Sequence, residues 1–181
     1  RTIRLFRLMR TKGYDLTGLV IQSCLFRSKN DVEELLSEGA RIRLVKGAYK
    51  EPPELAFPRK ADVDSNFDLL SKRLIDAAYS AGSPALSSDG RVPPIPALGT
   101  HDQKRIDFAK NYAASLGMSK QALEFQMLYG IRRDLQNQCV CEDYPVRIYV
   151  PYGTHWYPYY MRRLAERPAN IWFFISNFFR N

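Results

Sequence analysis

Two adjacent guanidiniums, Arg162 and Arg163, lie in the stretch Tyr159-Tyr160-Met161-Arg162-Arg163-Leu164-Ala165-Glu166, soon after an apolar run at 146–150. At helical spacing Tyr159 and Glu166 fall three to four residues from the pair. Glu166 can then hold one fork in place while both arginines present planar donors, and planar donors suit a small carboxylate. An Arg-Arg pair on a helix can equally be a solvated basic face. The residues before it decide between the two readings.

The chain alternates short apolar runs with longer amphipathic ones. Strand patterns are read at 18–25, 41–49, 93–100, 122–128 and 146–150. Helical patterns intervene at 29–39, 64–81, 102–116 and 131–137, and the Arg-Arg segment supplies one more. Strands alternating with helices predict βα units around a parallel sheet, either a barrel or an open doubly wound sheet. Gln22, Arg43 with Lys46, Thr100 with His101, Gln126 and Tyr149 fall in or just beyond the apolar runs, several near their carboxyl ends. In a parallel barrel those ends converge on one face, where active sites are built. No Gly-x-Gly-x-x-Gly or Walker-type loop is present, which favours the barrel over a dinucleotide-binding sheet. Linkers and low-complexity tracts are absent, so residues 1–181 are read as one domain.

An apolar content of 45% with 25% charged residues is that of an ordinary globular chain, which argues against disorder. The net charge of +8 is spread over pairs such as Arg132-Arg133 without a basic run, so nucleic acid is not an expected partner. Cys139 and Cys141 are two residues apart and Cys24 is distant, a set that suits a reducing, cytoplasmic compartment. With only His101 and His155 as imidazoles, no metal site is expected. No segment reaches bilayer-spanning length, and the first residues lack a signal-peptide core. The aromatic run 171–179 is read as the buried end of a helix, with contact to a partner or membrane surface as the alternative. With a start on Arg1 rather than Met, a fragment or a processed product is expected.

Arg43-Leu44-Val45-Lys46-Gly47-Ala48-Tyr49, Thr100-His101-Asp102, Glu124-Phe125-Gln126-Met127-Leu128-Tyr129-Gly130, and Tyr149-Val150-Pro151-Tyr152-Gly153 with Arg162-Arg163-Leu164-Ala165-Glu166-Arg167-Pro168 occur in that order over nearly the whole chain. Together they resemble the proline dehydrogenase family, in particular its bacterial monofunctional members. The resemblance implies a (β/α)8 TIM-type barrel carrying FAD and oxidising L-proline to Δ1-pyrroline-5-carboxylate by hydride transfer to flavin N5. By resemblance Arg162 and Arg163 bind the proline carboxylate, Glu166 orients them, Tyr159 closes that end of the pocket, and Leu128 and Tyr149 pack on the ring. Arg43 is expected near flavin N5 as the catalytic cation. Gln22, Lys46, Gly47, Ala48, Thr100 and His101 are expected to hold the cofactor. For Gly47 there is a steric reason, since a missing Cβ lets backbone approach a ligand closely.

Gly99 stands where the family often has alanine, Asp102 replaces an asparagine of some relatives, and Cys139 and Cys141 fall in what reads as a helix-to-strand connection. The five strands correspond to the fourth to eighth of such a barrel. A lysine and an aspartate of the expected site would then lie upstream. The family also implies a quinone as electron acceptor, with peripheral contact at the inner face of the membrane. Two other readings remain open at this point: a flavin barrel oxidising another small amino or imino acid, and a truncated barrel acting as a binding module.

Overall fold

In the computed structural model the described residues are 1–47, 51–85, 87–88 and 96–154. The sheet has five parallel strands: β1 (Gly18–Gln22), β2 (Arg41–Val45), β3 (Ala97–Gly99), β4 (Glu124–Leu128) and β5 (Val146–Tyr149). Their spatial order is β1-β2-β3-β4-β5, the order of the chain. A doubly wound sheet reverses direction at a switch point, whereas a barrel adds each new strand beside the last. The uninterrupted order therefore settles the choice left open above in favour of the barrel.

Among the described residues five helices accompany the strands: α1 (Thr2–Thr11), α2 (Ser28–Ser37), α3 (Lys60–Ser80), α4 (Gln103–Ser115) and α5 (Arg133–Cys141). Period-2 alternation divides the strand side chains between two faces. Leu19, Ile21, Ile42, Leu44, Leu98, Phe125 and Met127 point outward and pack with Val32, Leu35, Phe67, Leu70, Leu74, Ile75, Ile106 and Leu135 of the helices into one apolar core. The other set forms the inner face, in layers fixed by register. Val20, Arg43, Ala97 and Glu124 share one layer, and Gln22, Val45, Gly99, Gln126 and Arg147 share the next toward the carboxyl ends. Leu128 and Tyr149 are paired above them.

Several boundaries differ from those read in the sequence. The first strand stops at Gln22, although Ser23 and Cys24 still donate backbone bonds to Val45 and Lys46. The third strand is three residues long, and Pro96, which has no N–H, precedes it. Residues 120–122 form a 3-10 turn ahead of β4. Helix α3 begins a turn earlier than Asp64. Helix α5 runs to Cys141, so Cys139 and Cys141 belong to its last turn and not to a connection; Cys139 is buried and Cys141 exposed. Helix α1 has no counterpart in the sequence reading. It docks through buried Phe6 and through Arg7, whose Nη2 donates to Glu38 Oε1 at 2.6 Å. No helix among the described residues is long and apolar enough to cross a membrane. None of their His, Cys, Asp and Glu side chains group in threes suited to a metal ion.

Candidate active site

The carboxyl ends of the strands bring the expected side chains to one rim. Gln22 ends β1, Lys46 and Gly47 follow β2, Thr100 and His101 follow β3, Leu128 ends β4 and Tyr149 ends β5. Ala48, Tyr159, Arg162, Arg163 and Glu166 lie outside the described residues.

Arg43 starts one layer below this rim, and its guanidinium rises toward it across Gly99. A Cβ built on Gly99 would lie 3.3 Å from both Nε and Nη2 of Arg43, and 2.9 Å from Val45 Cγ1. The glycine that looked like a departure from the family pattern is thus the floor on which the catalytic candidate lies. Gly47 is packed closely against its own chain. Its φ is +107°, and an added Cβ would collide with Cys24 Sγ and come within 3.0 Å of Gln22 Oε1. Its missing side chain makes room for these protein atoms.

Lys46 is held from two sides. Its Nζ donates to Asp64 Oδ1 and Asp102 Oδ2, each at 2.5 Å, and Lys60 also reaches Asp64. Burial works against the ionised form of both carboxylates, but the bonds from Lys46 outweigh it and keep Asp64 and Asp102 below the usual carboxylate range. Asp102 also caps α4 by accepting the Lys104 N–H at 3.0 Å, and its own N–H donates to Thr100 Oγ1 at 3.1 Å. Asp64 was not singled out in the sequence. It is 18 residues from Lys46 and on the next helix, a separation no local spacing rule covers.

His101 Nε2 accepts the backbone N–H of Leu128 at 2.9 Å. Burial, together with the charges of Arg132 and Arg43, pushes this imidazole down to about 4. A neutral ring accepting at Nε2 carries its proton on Nδ1. Arg132 is a second residue the sequence reading passed over. It adopts a left-handed conformation, φ 51° and ψ 53°, at the start of α5, where its guanidinium pairs with Asp134 and approaches the His101 carbonyl at 3.5 Å. Lower on the inner face, Arg147 clamps the buried Glu124 carboxylate through two bonds of 3.0 Å, and Gln126 Nε2 donates to the same carboxylate. This crosslink ties β4 to β5 beneath the Leu128–Tyr149 pair.

The residues present fit the flavin that the sequence resemblance implies. The rim offers a fixed guanidinium and an amide for a planar ring with acceptors and donors on its edge. It also carries the Lys46 ammonium, already bonded to Asp64 and Asp102, and the neutral His101 imidazole.

Beside the Lys46 network, Arg105 Nε and Asp68 Oδ1 meet at 2.9 Å without the alignment of a hydrogen bond. Burial raises the Asp68 carboxyl to about 6 despite Arg105. Two opposite linkages follow. The raised value at Asp68 contributes stability that is present below 3.8 and lost as pH rises through about 6. The lowered value at His101 contributes stability that is present above 6.5 and lost as pH falls through about 4. The two act against each other over the same acidic window. Asp68→Asn is expected to remove the first, so the urea midpoint of the variant should fall more steeply than that of the wild type between pH 6 and pH 4. Parallel curves for the two proteins would contradict the assignment.

The family model for proline dehydrogenase matches residues 2–174. The chain is 42% identical to proline dehydrogenase 2 of Bacillus subtilis strain 168 over 174 residues, which cover 96% of this chain and 52% of that protein. It is 43% identical to the proline dehydrogenase of Deinococcus radiodurans over 176 residues, or 97% of this chain and 52% of that one. The chain thus spans about half the length of these curated relatives. Among solved structures, proline utilization A (PutA) from Bdellovibrio bacteriovorus, inactivated by N-propargylglycine, superposes with a TM-score of 0.63 at 31% identity, covering 76% of this chain and 15% of that one. A variant of the Bradyrhizobium japonicum protein shares the fold, with a TM-score of 0.63 at 24% identity over 82% of this chain and 16% of that one. The parallel strand order, the rim carrying Arg43, Lys46 and His101, and these matches lead to one conclusion: the chain belongs to the proline dehydrogenase family.

Proposed function

We propose that the protein to which this chain contributes oxidises L-proline to Δ1-pyrroline-5-carboxylate using FAD. Family membership carries this reading, and the Arg43 guanidinium lying across Gly99 at the mouth of the parallel strands supports it. FAD, when bound, supplies the acceptor for a hydride from proline C5.

The chain's own residues position and polarise. Gln22 and Arg43 address the edge of the flavin ring, and Arg43 places a fixed positive charge where negative charge develops. Lys46, Gly47, Ala48, Thr100 and His101 hold the remainder of the cofactor. Asp64 and Asp102 fix the Lys46 ammonium and leave one of its three N–H donors for the cofactor. Leu128 and Tyr149, side by side at the ends of β4 and β5, form an apolar wall for the pyrrolidine ring. Arg162 and Arg163 take the carboxylate, with Glu166 orienting them and Tyr159 closing the pocket. Such a two-ended grip holds the donor carbon at contact distance from its acceptor.

Electrons then pass to a quinone. The charge of +8 and the phenylalanine-rich run at 171–179 suit peripheral contact with an anionic membrane surface. Nothing in this scheme involves nucleic acid.

The test uses the full-length protein loaded with FAD. Anaerobic L-proline is expected to bleach the visible flavin band, and N-propargylglycine is expected to inactivate the protein. A flavin-loaded sample whose spectrum L-proline leaves unchanged would sink the proposal.

A further inference from the structure

We infer that His101 is a positioning residue for the substrate wall: its Nε2 stands in for a missing strand partner and fixes the backbone of Leu128. The consequence for proline rests on the functional reading above, whereas the structural claim does not.

Along β4 the backbone groups alternate in direction. Glu124 N–H donates to Pro96 O on the β3 side, whereas Phe125 N–H donates to Pro145 O and Tyr129 N–H to Tyr149 O on the β5 side. Leu128, an even number of residues from Glu124, therefore points its N–H and C=O toward β3. β3 ends at Gly99, paired with Gln126, so the ladder stops one step short of Leu128. A buried backbone group without a partner is costly, and side chains take over both groups. His101 Nε2 accepts the N–H at 2.9 Å, and Gln136 Nε2 donates to the carbonyl at 3.0 Å and to the Ile131 carbonyl at 2.7 Å. Helix α5 and the loop after β3 thus hold the last residue of β4 from both ends.

The arrangement needs a neutral imidazole, because a protonated ring has no acceptor to offer Leu128. The groups facing it are cationic, Arg132 from the start of α5 and Arg43 from β2, and both disfavour a second positive charge. Asp102 and Asp134 sit by Arg132. A ring fixed in this way makes the position of Leu128, and with it the shape of the wall opposite Tyr149, depend on His101.

The experiment compares wild type, His101→Leu and His101→Gln in the full-length protein by amide hydrogen exchange of the segment around Leu128 and by steady-state kinetics on the flavin-loaded fraction. Leucine has no acceptor, while glutamine carries one at the reach of Nε2. Exchange at Leu128 is expected to accelerate about tenfold in His101→Leu and to stay within about threefold of wild type in His101→Gln. KM for L-proline should rise about tenfold in His101→Leu with a smaller change in kcat. His101→Asn, polar but too short to reach the amide, is expected to behave like leucine and replaces it should leucine prevent folding. Exchange at Leu128 that is the same in all variants, or as fast in glutamine as in leucine, would overturn the inference. If exchange responds as expected but wild type does not oxidise proline, the positioning role stands and the functional reading falls.

Discussion

Arg43→Met is expected to lower the rate of flavin reduction by L-proline about 10²–10³-fold, the loss typical when one preorganised group facing developing charge is removed. The expectation rests on where the guanidinium lies. Its backbone is one layer below the rim, level with Ala97, and its fork extends upward over Gly99 to the mouth of the strands. A position reached by a long side chain across a glycine is a constrained one, because the neighbouring strand leaves a shelf and no side chain that could yield. Methionine keeps most of the aliphatic length and discards the charge, so core packing, which involves the opposite face of β2, is left alone. Arg43→Lys should fall between, since an ammonium retains the charge but not the planar fork. Rapid mixing of oxidised protein with L-proline under anaerobic conditions separates this step from turnover. A second readout needs no chemistry: burial is the main cause of the lowered His101 value, and removing Arg43, which adds to it, should raise the imidazole part of the way, visible by NMR titration. A loss of less than about threefold in the reduction rate would remove Arg43 from the catalytic role.

The sheet was readable because its signal is local and repeated. In β2 the sequence Arg-Ile-Arg-Leu-Val carries the alternation on its face, with Ile42 and Leu44 in the core and Arg41 and Arg43 on the inner side. Element ends were less readable where the stop is not a glycine. Gly39, in the left-handed region, ends α2 close to where the sequence placed it, whereas Asp143 takes the corresponding conformation after α5 and gives no such signal. Arginine-rich α1 was missed because only Phe6 is buried on it. Gln22, Arg43, Lys46, Thr100 and His101 were legible by type and by their place in or just beyond the apolar runs, whereas Leu128 entered only through the family resemblance. Their partners were not, since Asp64 meets Lys46, and Leu128 meets His101, across 18 and 27 residues. Contacts of that kind depend on which strand end stops first, and nothing in the residue types separates an end at Thr100 from one at Gly99.

Gly47→Ala is expected to destabilise the protein by about 2–5 kcal/mol, combining backbone strain with overpacking. At φ +107° a residue with a Cβ is strained whatever space surrounds it. Here the space is also taken, because the new methyl would run into Cys24 Sγ and press on Gln22 Oε1. Relief requires moving the Ser23-Cys24 turn, whose N–H groups donate to Val45 and Lys46 at 2.8 and 2.9 Å, or moving the chain that follows Lys46. Either shift displaces Gln22 or Lys46, so the urea midpoint and flavin affinity should fall together. The two components can be separated with Cys24→Ala, which deletes the nearest colliding atom but leaves Cys24 Cβ, 3.3 Å from the built methyl, and the positive φ in place. In the double variant part of the stability loss should be recovered, giving a favourable coupling on the order of 1 kcal/mol. Strictly additive effects would show that the collision with the Cys24 thiol adds nothing to the loss. A Gly47→Ala protein with wild-type stability would mean that Gly47 does not hold the close contact with Cys24 described above.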